Sequence, residues 1–244
     1  MKDYLVCIIC GPDALHQKWI QDHKIYNFDL ALLSYTDVTY TDLNSKSAKY
    51  HIIYDQQQIG GVRLKLFSHF LKNEVDYKKY KRIFIFDDDI TTSPSDINTF
   101  LDNTVKYEFD LAQPSLTKNS YGTYPATFHY PQTLYRLTNT VEIMMPCYSP
   151  EALDVVIPFI DNLKYGYGWG LELLYDKFLH KDLGNSVFGG FIGIIDITPF
   201  GHYRPLGENG LYFLGPPHQE IEQFEKIYDV KGLPQIRPYW GRLK

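Results

Sequence analysis

The stretch Arg82-Ile83-Phe84-Ile85-Phe86-Asp87-Asp88-Asp89-Ile90-Thr91 predicts the central strand of an α/β fold. Its unbroken run of β-branched and aromatic side chains is typical of a strand that is covered on both faces. Asp87, Asp88 and Asp89 follow at its carboxyl end, where open α/β sheets bind their ligands. Three adjacent carboxylates repel one another, so we expect them either in solvent or around a hard cation such as Mg²⁺ or Mn²⁺.

The acidic run alone leaves both interpretations open, a solvated turn before a helix or a metal site.

Composition narrows the class of protein. At 244 residues the chain fits one large domain, and its net charge of -5 provides no basic footprint for nucleic acid. The N-terminus lacks the features of a signal peptide and no stretch approaches ~18 apolar residues. We therefore expect a cytoplasmic protein with no transmembrane segment.

Three cysteines are too few for a disulfide framework. Cys7 and Cys10 have the spacing of redox and zinc sites, but they lie in a strand-like apolar run, where residues three apart point to opposite faces. No second cysteine pair completes a zinc site. We interpret both as small buried hydrophobic residues.

The middle of the chain carries less regular patterns. Leu111–Leu116 is expected to be a short edge-like strand, because Pro114 cannot donate to a ladder. The segment Thr117–Asn139 has no clear periodicity, which predicts a long loop that is either functional or disordered. Val141–Tyr148 resembles an apolar strand, within which the carboxylate of Glu142 needs a partner or a solvent-facing side.

Further candidate residues lie near glycines. Arg63 falls in the first turn of a predicted helix over Val62–Leu71, where it could reach an anion or simply face water. Glycines flank Trp169, whose indole is a good platform for a sugar face. Glu172 and Asp176 are four residues apart on the helix that follows, so they share a face.

The order of several sequence blocks resembles the plant and bacterial domain-of-unknown-function family 707, which is related to nucleotide-sugar glycosyltransferases of the GT-A type. The similarity covers roughly residues 60 to 207, and the first 55 residues match only in general pattern. The blocks are Gly60-Gly61, Tyr80–Ile90, Ala112–Leu116, Val141–Pro146, Gly168–Glu172 and His202–Gly207.

The resemblance implies a divalent metal, Mn²⁺ or Mg²⁺, that bridges the two phosphates of a sugar donor. Asp87 and Asp89 match the outer positions of the metal-binding motif, Asp89 being the direct ligand, and Asp88 matches the middle one. His202 resembles a late histidine that completes the metal shell, although its His-Tyr-Arg-Pro stretch is one residue shorter than the family pattern. Glu172 resembles the catalytic base of inverting enzymes.

These implications define the expected protein. It is a single α/β domain, GT-A-like and Rossmann-like, with a mixed, mostly parallel central sheet flanked by helices. Its expected reaction is metal-dependent transfer of a sugar from a nucleotide-diphosphate donor to a carbohydrate or glycan acceptor, with inversion. Residues 1–110 would form the nucleotide-binding half, 111–215 the acceptor and catalytic half, and 216–244 a C-terminal helix and tail. The expected donor- or substrate-binding residues are Asp88, Arg63, Trp169, Gln113 and Glu142.

Two other functions fit parts of the sequence. Asp87-x-Asp89-x-Thr91 after four apolar residues also matches the nucleophile motif of haloacid-dehalogenase-type phosphatases. That motif normally ends the first strand of its fold, whereas two or three strands precede it here, and no late Gly-Asp-x-x-x-Asp block follows. The second alternative is a non-catalytic carbohydrate-binding relative that keeps the metal site and the sugar platform.

Overall fold

The computed structural model describes residues 2–11, 13–20, 25–36, 48–179, 191–205, 212–232 and 235–243. Its strands are β1 Tyr4–Cys10, β2 Phe28–Ser34, β3 Tyr50–Ile53, β4 Arg82–Asp87, β5 Ile90–Thr91, β6 Phe109–Leu116, β7 Thr133–Thr138, β8 Cys147–Tyr148, β9 Phe191–His202 and β10 Pro238–Leu243. Its helices are α1 His16–Trp19, α2 Gln56–Ile59, α3 Leu64–Asn73, α4 Pro94–Lys106, α5 Pro150–Asp161, α6 Leu171–Leu174 and α7 His218–Tyr228. A π-helical turn, Tyr175–Leu179, continues α6.

The strands form one sheet in the order β10-β7-β9-β6-β8-β4-β1-β2-β3, and β5 pairs with β9. β4, β1, β2 and β3 are mutually parallel, whereas β8 runs antiparallel between β4 and β6. All seven residues of β1 are buried, as expected for a central strand covered on both faces. The predicted mixed α/β sheet flanked by helices is confirmed.

Helices cover the two faces of the sheet. On one face, α3 and α5 contribute Leu64, Phe67 and Val156 to a core that includes Ile83 and Ile85 of β4. On the other face, α4 supplies apolar side chains of a second core, which contains Phe84 and Phe86 of the same strand. Alternate residues of β4 therefore enter opposite cores, which fixes the strand in the centre of the sheet.

The start of α4 follows directly from its sequence. Ser93 accepts a hydrogen bond from the backbone N–H of Asp96 at 3.1 Å, and Pro94 occupies the first helical turn. This helix begins seven residues after Asp87, and the short connection between them contains β5, which pairs with β9.

Two middle segments differ from their predictions. Leu111–Leu116 belongs to an eight-residue interior strand, β6, between β8 and β9, and is not at an edge. The pairing with β9 shifts register between Pro114 and Leu116, which accommodates the missing N–H of the proline. Thr117–Asn139 is not a structureless loop either, because it contains a 3₁₀ turn, Pro125–Thr127, and the strand β7.

A buried ion pair explains why that segment is ordered. Arg136 of β7 donates to both carboxylate oxygens of Asp196 on β9, at 2.8 and 3.0 Å. The remaining donors of Arg136 reach the carbonyl oxygens of Ala126 and Phe128. Each of these contacts satisfies a buried polar group, and together they fasten the segment to the sheet.

Val141–Tyr148 forms a strand only at Cys147–Tyr148. The preceding residues still bond to β4, since the carbonyl oxygens of Met144 and Pro146 accept from the N–H groups of Asp87 and Ile85. The segment therefore supports the end of β4 without regular strand geometry. Within the described ranges, no helix combines the length and apolar character needed to cross a membrane.

Candidate functional site

A cavity of about 510 Å³ lies at the carboxyl end of β4. The acidic run forms part of its wall, together with Ile9 and Tyr35 from the ends of β1 and β2. A second part of the wall comes from residues 123–124, 142–144, 167, 169–170 and 172, and from the C-terminal part of the chain. Much of this lining is apolar, and its charged side chains are five carboxylates and Arg63.

Asp87 is held by Arg63. The guanidinium Nε donates to Asp87 Oδ1 at 2.6 Å, while the two terminal nitrogens donate to the carbonyl oxygens of Tyr167 at 3.1 Å and Ile143 at 2.5 Å. Arg63 precedes α3 with φ of 42°, in the left-handed region that side chains rarely adopt. Its charge therefore lies inside the cavity wall and does not face solvent.

Asp88 turns toward the end of β1. Its Oδ2 accepts from the backbone N–H of Gly11 at 2.7 Å, and its Oδ1 lies 3.5 Å from Arg204. A Cβ at Gly11 would lie 2.1 Å from the Tyr35 hydroxyl, so a larger residue there would require Tyr35 to shift. Burial raises the pKa of Asp88 to about 6.

Asp89 pairs with His202 across the turn. The imidazole Nε2 lies 3.0 Å from Asp89 Oδ2, and Nδ1 lies 2.7 Å from the carbonyl oxygen of Tyr121. Burial alone would lower the pKa of His202, but the hydrogen bond and charge of Asp89 raise it to about 9. The imidazole is thus a cation at neutral pH and donates through both nitrogens. Asp89 Oδ1 is buried without a hydrogen-bond partner among the described residues.

The carboxylates and the imidazole of this cluster are the candidate ligands for a divalent metal. The part of the chain that the structure describes holds no cluster of three or more His, Cys, Asp or Glu side chains arranged around a metal. A hard cation can bind one or two protein ligands and take its remaining ligands from substrate phosphates and water. Asp89, with an unpartnered buried oxygen, fits that requirement. His202 beside it would have to lose the proton shared with Asp89 before its Nε2 could bind a cation. Asp87 lies next to them, but one of its oxygens is committed to Arg63.

Glu172 lines the same cavity as the acidic run. It is the second residue of α6, directly after the Gly-Trp-Gly turn, in which Gly170 has φ of 91°. Its carboxylate is buried, and Oε2 lacks a hydrogen-bond partner within the described ranges. Burial, with a further contribution from the charge of Glu142, raises the pKa of Glu172 to about 8.

Glu142 is the second buried carboxylate on this wall. Its Oε1 accepts from the backbone N–H of Thr123 at 3.1 Å, and its Oε2 has no partner in the described part of the chain. Burial raises its pKa to about 7. Gln113 lies outside the cavity lining. It supports the backbone of Glu142, because its Oε1 accepts from the N–H of that residue at 2.6 Å.

Trp169 lines the cavity, and its side chain is partly exposed.

The structure brings eight of the predicted site residues to one region. The acidic triplet, Arg63, Glu142, Trp169 and Glu172 line the cavity, and His202 contacts Asp89 behind it. Gln113 alone among the predicted residues supports the site from the sheet.

Sequence reasoning missed Glu220. This fully buried side chain of α7 accepts five backbone N–H groups from consecutive residues of the 165–169 loop, at 2.7 to 3.2 Å. One carboxylate therefore shapes the loop that carries Trp169 and leads into Glu172. A signal did exist, because Glu220 lies four residues before Phe224 and so shares the apolar face of its helix.

The sheet order and its flanking helices define a GT-A-like fold. S. aureus TarS 1-349 matches with a TM-score of 0.52 and 12% identity, over 82% of this chain and 59% of that one. GalNAc-T7, solved with UDP, GalNAc and Mn²⁺, matches with a TM-score of 0.59 and 10% identity, over 93% of this chain and 49% of that one. Both are glycosyltransferases of the GT-A class.

At such low identity the likeness is one of fold, and this chain spans only about half to three fifths of those two chains. No protein family and no curated protein matches the sequence. The resemblance to family 707 therefore stays a prediction.

The Glu220 contacts predict a large and specific loss of stability on substitution. Glu220→Gln removes the charge that five N–H groups share and leaves some of them unsatisfied, so the free energy of unfolding should fall by about 2–4 kcal/mol. Urea denaturation measures the free energy of unfolding of the variant and of the wild type. Glu222→Gln on the same helix is the control, since Glu222 is 67% exposed and should change stability by less than ~0.5 kcal/mol. Equal effects of the two substitutions would contradict the role given to Glu220.

The raised pKa of Glu172 predicts a pH-dependent gain from its removal. The native state keeps this proton up to about pH 8, whereas an ordinary glutamate releases it near 4.5. Native stability therefore falls as the pH rises through that window, and Glu172→Gln avoids this loss. The difference in Tm between variant and wild type should be more positive at pH 8.5 than at pH 5, by roughly 4 °C. A difference that does not change with pH would contradict burial of this group.

Proposed function

We propose that the protein is a metal-dependent glycosyltransferase that moves a sugar from a nucleoside-diphosphate donor to an acceptor hydroxyl, with inversion. The supporting observation is that one cavity, on a GT-A-like fold, is lined by both the acidic run and buried Glu172. Glycosyl transfer requires neutralisation of the departing diphosphate and deprotonation of an alcohol. The lining carries a group suited to each task, the acidic run for the diphosphate and Glu172 for the alcohol.

The two parts of the chain divide these tasks. Residues 1–110 form the nucleotide-binding half in this proposal, since Ile9 and Tyr35 line the cavity beside the acidic run. Residues 111–215 form the acceptor half, which contributes Glu142, Trp169 and Glu172. The C-terminal part, 216–244, holds the acceptor half in shape through Glu220.

Asp89 would hold the divalent metal, Mn²⁺ or Mg²⁺, with Asp87 next to it, and His202 would join them as the neutral imidazole. When bound, the metal supplies Lewis-acid neutralisation of the diphosphate. The protein's own cations complement this charge, since Arg63 contacts Asp87 and Arg204 lies near Asp88. Asp88 serves as a link between the acidic run and β1, through the N–H of Gly11.

Glu172 acts as the general base. It removes the proton of the acceptor hydroxyl as the oxygen forms a bond to the sugar carbon, and the bond from that carbon to the diphosphate oxygen breaks. A single displacement of this kind inverts the configuration at the carbon. Burial and the nearby charge of Glu142 increase the proton affinity of Glu172, which suits a base working near neutral pH.

The alternatives explain less of the site. The phosphatase nucleophile motif normally ends the first strand of its fold, whereas β1, β2 and β3 precede β4 here. A phosphatase also has no use for Glu172 and Glu142 in the cavity. A non-catalytic carbohydrate-binding protein would bind donor but would not turn it over, which the experiments below distinguish.

Metal dependence is tested on donor binding. UDP should bind at least about tenfold more tightly with Mn²⁺ than with excess EDTA, because the cation relieves repulsion between phosphates and the acidic run. Asp89→Asn should abolish this difference, and Asp76→Asn, a substitution of an exposed aspartate, should preserve it. Isothermal titration calorimetry measures the UDP affinity of each protein with Mn²⁺ and with EDTA. Equal UDP affinity with Mn²⁺ and with EDTA would exclude the metal role.

Catalysis is tested with a panel of nucleotide sugars in Mn²⁺, first as donor hydrolysis and then with acceptors. Glu172→Gln keeps size and hydrogen bonding but cannot take a proton, so transfer should slow by about 10²- to 10⁴-fold. The donor Kd should barely change, in contrast to Asp89→Asn. Wild-type kcat/KM should rise toward a plateau above about pH 8, where Glu172 is ionised, whereas the variant should lack this rise. Near-normal transfer by the variant would remove Glu172 as base and direct attention to Glu142, since Asp176 is exposed and does not line the cavity.

A further inference from the structure

Several polar groups that line the cavity are already bonded to the protein itself. Each nitrogen of the Arg63 guanidinium donates once, to Asp87 or to one of two carbonyl oxygens. The hydroxyl of Tyr167 accepts from the backbone N–H of Leu214 at 3.0 Å. Outside the acidic run, the unpartnered buried atoms of the lining, among the residues described, are the Oε2 atoms of Glu142 and Glu172. Both are acceptors when ionised, and one of them is the proposed base.

Aromatic side chains form most of the remaining surface. We call Tyr124, Tyr167, Trp169, Tyr212 and Phe213, all of which line the cavity, the aromatic wall. Tyr212 meets Tyr167 edge to face, with centroids 5.1 Å apart, and meets Trp169 in the same way at 5.9 Å. These contacts are favourable arrangements for aromatic pairs and keep the rings in defined positions.

The aromatic wall is also anchored through its backbone. The N–H of Trp169 donates to Glu220 Oε2 at 3.1 Å, and the N–H of Leu214, next to Phe213, donates to the Tyr167 hydroxyl. Despite these anchors, Trp169 is 37% exposed and Phe213 is 64% exposed. Large exposed aromatic surface on fixed backbone beside a cavity is typical of a binding site.

We propose that the acceptor carries an aromatic or comparably apolar ring next to the hydroxyl that is glycosylated, and that this ring packs against the aromatic wall. The inference rests on the proposed function and specifies its acceptor class. The lining is mainly apolar, so an acceptor with hydroxyls on every side would bury some of them against apolar surface, which is costly. An apolar ring instead removes the aromatic wall from water and needs no further hydrogen bond.

The test uses acceptor pairs that differ only in the ring. Phenyl and methyl β-glycosides of glucose, galactose and N-acetylglucosamine are titrated into protein saturated with UDP and Mn²⁺, and binding is followed by ligand-observed NMR. The phenyl member of at least one pair should bind about tenfold or more tightly than its methyl partner. Equal affinity within every pair, or no binding by any glycoside, would overturn the inference.

Variants of the aromatic wall locate the ring. Trp169→Ala should reduce the phenyl preference to less than about threefold. Phe213→Ala should also reduce it, and because Phe213 is largely exposed this substitution does not endanger folding. Phe191→Ala is the matched control, since Phe191 is 39% exposed and does not line the cavity. It should leave the preference intact.

Two further measurements separate the possible failures. UDP affinity should stay the same in Trp169→Ala, whereas a loss of UDP affinity would mean that the aromatic wall stacks the nucleobase, which overturns the inference. Donor hydrolysis without any acceptor tests the proposed function by itself. Hydrolysis without a phenyl preference refutes only the acceptor class, and absence of hydrolysis for all donors refutes the transferase proposal.

Discussion

The buried guanidinium of Arg63 is the interaction on which the rest of the site depends. Its three donor groups bind three segments that are distant in sequence, namely Asp87 at the end of β4, the carbonyl of Ile143 and the carbonyl of Tyr167. A buried charge is tolerated only when such partners surround it, and loss of any partner is expensive. The left-handed backbone at Arg63 places the side chain there, so the fold accepts local strain to join both walls of the cavity.

The same site also contains groups that oppose folding. Asp89, Glu142 and Glu172 each keep a buried carboxylate oxygen without a hydrogen-bond partner among the described residues. Desolvation without compensation raises the pKa values of both glutamates. Unpaired buried carboxylates of this kind are typical of sites where a bound ligand or a transferred proton interacts with them. The extensive apolar cores on both faces of β4 supply the stability that this arrangement costs.

Local sequence predicted those elements whose causes are local. The apolar run of β4 and the capping residues Ser93 and Pro94 specify a buried strand and a helix start, and both form as expected. Predictions failed where distant contacts decide. Thr117–Asn139 shows no periodicity, yet the Arg136–Asp196 pair fastens it to the sheet. Val141–Tyr148 has the composition of a strand, but the Gln113 side chain and the end of β4 take its backbone hydrogen bonds instead.

The sequence by itself determined that an acidic run would end a central strand, and that Glu172 would follow a glycine turn at the start of a helix. Both depend on hydrophobic pattern and backbone preference, which neighbouring residues dictate. Only the tertiary structure decided which partners those carboxylates meet. Arg63 lies 24 residues before Asp87 and Glu220 lies more than 50 residues after the loop it holds, and such pairings are set by sheet order and helix packing. Burial, and with it the proton affinity of Glu172, arises only once those walls close together.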